Sequence, residues 1–283
     1  MKSLIDTYEL HNGVKIPCVG FGTWQATDGE EATTSVREAI KAGYRHIDTA
    51  AAYGNEESIG IAVKESGLKR EDIFITSKLQ NPAHGYEATM SAFEESMKKL
   101  DMDYLDLYLI HWPNPIKFRD CWEEANAGTW KAFEELYEAG RIKAIGVSNF
   151  MPHHIDELLK TAKIVPMVNQ IRLCPGETQP IVAAYCEKHN ILLEAYSPLG
   201  TGRIFEVEEM KGLAEKYNKS VAQICIRWCL EMGYLPLPKS VHPTRIKENT
   251  EVFDFELSKE DIELIANLKE CCGPTRDPDT TNF

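Results

Sequence analysis

Asp48, Tyr53, Lys78 and His111 stand at or just beyond segments that read as short β-strands, and their side chains form a set suited to proton chemistry at an oxygen atom. A phenol has an ordinary pKa of about 10, too high for an efficient proton donor near neutrality. A neighbouring ammonium, here Lys78, stabilises the phenolate and lowers that value. Asp48 can hold Lys78 charged and in place, while His111 orients a carbonyl oxygen toward Tyr53. Such a set protonates an oxygen on which negative charge is developing, but it contains no source of electrons. No Ser or Cys nucleophile is paired with a base, and the candidate metal ligands are too few for an obvious centre. A reductive reaction at this site therefore needs a hydride cofactor.

The stretch Ala42–Glu56, AGYRHIDTAAAYGNE, shows how the first two residues are positioned. Gly43 breaks a preceding helix, Tyr44–Ile47 starts a strand, and Asp48 sits where that strand runs out. Small residues (Thr49, Ala50, Ala51, Ala52) then leave room for a large ligand beside the backbone. Taken alone, the stretch is equally well read as a capping acid and a half-buried Tyr. What favours chemistry is the recurrence of the pattern. Strands are expected at Val19–Thr23, Tyr44–Asp48, Ile73–Ser77, Tyr104–Ile110, Ala144–Ser148, Met167–Ile171, Leu192–Ala195 and Tyr234–Leu237. Amphipathic helices are expected at Glu30–Ala42, Glu56–Ser66, Tyr86–Leu100, Asn126–Ala139, Pro152–Thr161, Gln179–His189 and Val221–Met232. Residues Thr7–Gly20 read as a hairpin turning at His11-Asn12-Gly13. Alternating βα units make a closed (β/α)8 barrel the economical arrangement, with a doubly wound open sheet as its competitor. No Pro, Ser or Gly linker divides the 283 residues, so one domain over 1–283 is expected.

In a parallel barrel all strands deliver their ends to one rim. That rim would gather Gly22, Thr23 and Trp24; Asp48 and Tyr53; Lys78; His111 and Trp112; Ser148 and Asn149; Gln170; Tyr196 and Ser197; and Lys239 and Ser240. Three long connections, His111–Ala125, Ser197–Arg203 and the polar tail Cys271–Phe283, are placed to wall the same mouth.

The formal charge of −13, from 31 basic and 44 acidic side chains, argues against a general nucleic-acid surface. An anionic ligand must then meet a local basic cluster. Leu237–Thr250, LPKSVHPTRIKENT, supplies one: Lys239, Ser240 and Arg245 bracket a helix start at Pro243. Gly20-Phe21-Gly22 begins a dinucleotide-type glycine pattern, but Gln25 occupies the third glycine position, so that fingerprint is set aside. The N-terminal residues hold no apolar run of signal-peptide length, and no stretch approaches a membrane span. The eight Cys show no metal-type spacing and read as reduced thiols of a cytoplasmic protein.

Seven ordered motifs resemble the aldo-keto reductase family: GFGTW (Gly20–Trp24), GYRHIDTAAAYGNE (Gly43–Glu56), ITSKL (Ile75–Leu79), LIHWP (Leu109–Pro113), GVSNF (Gly146–Phe150), EAYSPLG (Glu194–Gly200) and LPKSVHPTRIKEN (Leu237–Asn249). The resemblance implies a TIM barrel whose bottom is closed by the N-terminal β-hairpin, and NADPH as cofactor. It implies a catalytic tetrad of Asp48, Tyr53, Lys78 and His111, with Tyr53 the general acid. It places Gly22, Thr23 and Trp24 beside the cofactor, Tyr196 on the nicotinamide, and Ser148, Asn149 and Gln170 on its carboxamide. Ser197 and Leu199 would lie over the pyrophosphate, Lys239, Ser240 and Arg245 around the 2′-phosphate, and Glu248 and Asn249 at the adenine. Trp24, Tyr53, His111 and Trp112, with Trp122 as a further candidate, would line an aromatic substrate mouth left open by the short tail. Two departures stand out. Leu173-Cys174-Pro175 replaces the family's aromatic-His-Pro, and His242 replaces a small hydroxyl residue near the phosphate.

The expected activity is NADPH-dependent reduction of an aldehyde or ketone to an alcohol by direct hydride transfer, in a monomer. Family members of this plain architecture reduce methylglyoxal, other small aldehydes and keto-sugars such as 2,5-diketogluconate. Two rivals compete with that reading: a catalytically weak nucleotide-binding scaffold or regulatory subunit of the same fold, and a metal-dependent hydrolase using His46, Asp48 and His111.

Overall fold

The expected N-terminal hairpin forms from β1 (Thr7–Glu9) and β2 (Lys15–Pro17), antiparallel with Thr7 opposite Pro17. Gly13 turns it with φ 86°, a backbone angle that glycine adopts without steric cost. The computed structural model describes residues 1–269 and 271–283. Beyond the hairpin come eight parallel strands: β3 (Phe21–Gly22), β4 (His46–Asp48), β5 (Phe74–Leu79), β6 (Leu105–Ile110), β7 (Ile142–Ser148), β8 (Val168–Arg172), β9 (Leu192–Tyr196) and β10 (Leu235–Leu237). They pair in sequence order. Hydrogen bonds from Gly20 N–H to the Pro236 carbonyl and from Gly22 N–H to the Pro238 carbonyl, both 3.0 Å, join the first strand to the last. The result is the barrel, not the open sheet.

The strands are buried on both faces because helices cover them outside and side chains fill them inside. All six residues of β5 are buried. Around the barrel run α1 (Glu30–Lys41), α2 (Glu56–Glu65), α3 (Tyr86–Leu100), α4 (Trp122–Glu138), α5 (Pro152–Leu158), α6 (Pro180–Lys188), α7 (Glu208–Tyr217) and α8 (Val221–Glu231), followed by α9 (Pro243–Glu248) and α10 (Lys259–Ala266). Ser220 starts α8 with a reciprocal cap: its Oγ accepts the Gln223 N–H while Gln223 Oε1 accepts the Ser220 N–H. No described helix is long and apolar enough to cross a membrane.

Three differences from the sequence reading bear on the site. Lys78 lies inside β5, not beyond it. Strand alternation sends Thr76 and Lys78 into the barrel while Ser77 turns outward to Glu56 of α2, at 2.6 Å. α4 begins at Trp122 rather than Asn126, its first turn carrying Glu123 and Glu124, whose charge suits a helix N-terminus. The tail beyond residue 271 also packs down. Cys271 and Cys272 are buried, and Asp279 accepts a hydrogen bond from Asn114, in the loop beyond β6.

Candidate active site

Inward alternation on β4, β5, β8 and β9 puts Asp48, Lys78, Gln170 and Glu194 into one buried layer beneath the C-terminal rim. Lys78 Nζ donates to both Asp48 oxygens at 2.8 Å and to the Thr49 carbonyl at 2.9 Å. The phenol oxygen of Tyr53 lies 3.4 Å from the same ammonium. Tyr53 stands on the single turn Ala51–Tyr53 that leaves β4, which aims its ring toward His111, 5.8 Å away between centroids. The four residues are thus one contiguous group.

Burial is the largest influence on all three titrating members for which a shift is resolved. It would push the Lys78 ammonium down, but Asp48, Tyr53 and Glu194 together outweigh it and leave the value raised. Burial raises the Tyr53 phenol, and the lowering pull of Lys78 only partly offsets it. The net phenol shift is therefore upward, opposite to the sequence expectation, because desolvation of a phenolate exceeds its attraction to an ammonium already shared with Asp48. His111 is held down to about 3 by burial, then by Lys78 and His84, so its imidazole is neutral. A neutral ring can donate a hydrogen bond to a carbonyl oxygen but carries no spare proton to deliver.

Next to this group the other rim residues form a connected polar face. Ser148 Oγ donates to the Gln170 carbonyl at 2.7 Å, and Asn149 Nδ2 donates to Ser148 Oγ and to the His111 carbonyl. Asn149 adopts φ 63° and accepts the Tyr196 hydroxyl at 2.8 Å. Thr23 is buried with its hydroxyl on the Asp48 carbonyl at 2.9 Å. Gly22 packs so tightly that a Cβ would sit 3.1 Å from the Leu237 carbonyl oxygen. Trp24 is half exposed at the rim, while Ser197 (φ 50°) and Leu199 begin the loop beyond β9.

Farther along, Lys239 donates to the Gln25 carbonyl at 3.1 Å and Arg245 is exposed on α9. Neither lies within ion-pair distance of a carboxylate among the described residues, although acidic side chains outnumber basic ones 44 to 31. Ser240 is buried, its Oγ accepting the His242 N–H, and Asn249 closes α9 with Glu248 beside it. Lys239 and Arg245 are thus free to meet an anionic group, and Ser148, Asn149 and Tyr196 form a connected polar face.

The tail Cys271–Phe283 was expected among the walls of the mouth, but its contact partners were not foreseen. Asp279 accepts from Asn114 Nδ2 at 3.0 Å and pairs with His154 Nε2 at 2.9 Å and His153 Nε2 at 3.1 Å. Arg119 binds the Thr281 carbonyl, and the Phe283 ring meets Trp112 edge-on at 4.8 Å. The tail therefore walls one side of the mouth, as its position suggested, and closes it further than its short length implied. Trp122 packs edge-on against His154, at 5.0 Å, beneath this docking point. Glu194 was also missed, although a lone carboxylate inside the strand LLEAY is itself a signal.

A (β/α)8 barrel carrying this buried Asp–Lys–Tyr group matches one known family in sequence as well as in shape. The chain belongs to the aldo/keto reductase family, whose pattern it matches over residues 18–270. Among its relatives, glyoxal reductase of Bacillus subtilis is 52% identical over 97% of this chain and 98% of that protein. Methylglyoxal reductase DkgA of Escherichia coli is 43% identical, covering 97% of each. The crystal structure of an aldo/keto reductase from Brucella melitensis is 48% identical with a TM-score of 0.88, over 94% of this chain and 98% of that one. A crystal structure of a Gox0644 variant in complex with NADPH is 40% identical with a TM-score of 0.89, over 98% of each chain.

Proposed function

We infer that this protein is an NADPH-dependent reductase of small aldehydes and ketones in which Tyr53 delivers the proton. The observation that carries the assignment is the Lys78 ammonium, wholly buried, bonded to both Asp48 oxygens and 3.4 Å from the Tyr53 hydroxyl. NADPH, when bound, supplies the hydride to the carbonyl carbon. Tyr53, protonated because burial raises its phenol, gives its proton to the carbonyl oxygen as charge develops there. Lys78, kept charged by Asp48, stabilises the phenolate left behind. Neutral His111 donates a hydrogen bond that holds the carbonyl oxygen beside the phenol.

For the cofactor we assign Tyr196 to the nicotinamide face and Ser148, Asn149 and Gln170 to the carboxamide. Gly22, Thr23 and Trp24 flank it, and Ser197 and Leu199 cover the pyrophosphate. Lys239, Ser240 and Arg245 hold the 2′-phosphate, with Glu248 and Asn249 at the adenine. The unpaired charges of Lys239 and Arg245 support this direction of binding. Substrate enters beside Trp24 and Trp112. Small dicarbonyls such as glyoxal and methylglyoxal head the substrate class, on the strength of the relatives that bear those names. The same reading describes a cytoplasmic monomer of one domain, and the continuous barrel supports the single domain.

The test follows NADPH consumption with glyoxal, methylglyoxal, larger aldehydes and keto-sugars, each repeated with NADH. Faster turnover with NADPH, and a ranking headed by the small dicarbonyls, is expected. Binding of NADPH without turnover of any carbonyl would instead favour a scaffold role.

A further inference from the structure

At the centre of the barrel lies a carboxyl group that the chemistry above leaves without a role. Glu194 is midway along β9 and fully buried. Its Oε2 accepts a hydrogen bond from Gln170 Nε2 at 2.7 Å, and the same nitrogen donates to Asp48 Oδ2 at 2.8 Å. A primary amide nitrogen carries two hydrogens, so both are committed. A flipped amide would set its oxygen against Asp48, which the charge on Asp48 forbids. Gln170 therefore has only its carbonyl oxygen free for a ligand.

We propose that Glu194 is a positioning residue for the cofactor: its carboxyl oxygen, by accepting from Gln170 Nε2, locks the Gln170 amide so that Gln170 offers only an acceptor to the nicotinamide carboxamide. The inference rests on the reductase reading above, through the assignment of Gln170.

The uncharged state of Glu194 follows from the neighbours. The titratable groups facing Glu194 are Asp48 and His46 of β4 and Lys78 of β5, while β10 presents Leu235 as its paired neighbour. Lys78 and Asp48 already balance, so a second carboxylate would leave a buried negative charge without a partner. His46 cannot compensate. Its Nε2 is 4.0 Å from Glu194 Oε1 and 2.9 Å from Thr76 Oγ1, and burial holds the ring neutral, down to about 3. Burial first, and Asp48 second, push the Glu194 carboxyl up to about 8. Ionisation above that pH would draw the Lys78 charge toward two carboxylates and away from the Tyr53 phenolate, so turnover declines on the alkaline side.

The experiment compares wild type, Glu194→Gln and Glu194→Met. It measures NADPH affinity by quenching of intrinsic tryptophan fluorescence, and turnover between about pH 6 and about pH 9. Glu194→Gln keeps an acceptor oxygen but cannot ionise. It should bind NADPH within about twofold of wild type and lose the decline that wild type shows near pH 8. Glu194→Met removes the acceptor and should weaken NADPH binding about tenfold, with turnover at saturating NADPH changed by less than about threefold. Met binding as tight as wild type would overturn the positioning role, and superimposable pH profiles of wild type and Glu194→Gln would overturn the uncharged state. If the Met variant fails to fold, the Gln profile still decides. Wild type that does not bind NADPH overturns the reductase reading too, whereas normal wild-type binding with unaltered variants overturns this proposal alone.

Discussion

At the residue scale, the site is governed by which charges are buried together. Lys78→Met would strand Asp48 in the barrel without its cation, a loss of about 3–5 kcal/mol, because a buried carboxylate lacking its partner keeps its desolvation penalty. Chemical denaturation would measure the drop, and stability within error of wild type would contradict the pairing. Glu194 makes a separate prediction with a definite sign. Its folded value, about 8, lies above that of an ordinary carboxyl, so its protonated form favours the fold. Wild-type stability attributable to it is complete below the ordinary carboxyl range and is lost as pH rises through about 8. Melting temperature should therefore fall along that interval in wild type and fall less in Glu194→Gln. Equal slopes would place the titration elsewhere. His111 contributes no acid limb to turnover near neutrality, since its ring stays neutral until the pH falls toward about 3.

At the element scale, the barrel leaves little slack between helices. A Cβ at Gly60 of α2 would fall 2.3 Å from the Leu100 carbonyl oxygen at the end of α3. Gly60→Ala should thus cost about 1–3 kcal/mol by forcing the two helices apart, with NADPH affinity unchanged. Thermal melts and a cofactor titration check both halves. Much at this scale was legible in advance. Tyr86–Leu100 emerged with its bounds intact because its apolar stripe and its flanking Gly85 are strong local signals. By contrast α7 buries only Met210 and Leu213 and carries Gly212 in its middle, a weak periodicity that concealed it. The rim order of the site residues was legible because strand alternation is regular. The particular contacts by which the tail docks were not. Asn114 and Asp279 meet across 165 residues of sequence, and no local pattern encodes such a contact. The upward shift of Tyr53 was equally hidden, since burial depth is a property of the assembled barrel.

At the scale of the whole molecule, a net charge of −13 repels anions in general, while Lys239 and Arg245 have no carboxylate partner among the described residues. Arg245→Ala should weaken NADPH binding about tenfold to about a hundredfold, the range of a charge-assisted hydrogen bond, and leave NADH binding nearly unchanged. An equal loss for both nucleotides would remove Arg245 from the 2′-phosphate. Binding also stabilises the fold by mass action, so NADPH at a hundredfold excess over its dissociation constant should add about 2.7 kcal/mol. The central claim is that Tyr53, poised by Lys78 and Asp48, is the proton donor, and its most direct test is turnover of Tyr53→Phe at saturating NADPH and methylglyoxal. A fall of about a hundredfold to about ten-thousandfold, with NADPH affinity preserved, is the predicted result. Wild-type turnover in that variant would contradict the account and move the proton donor to another group.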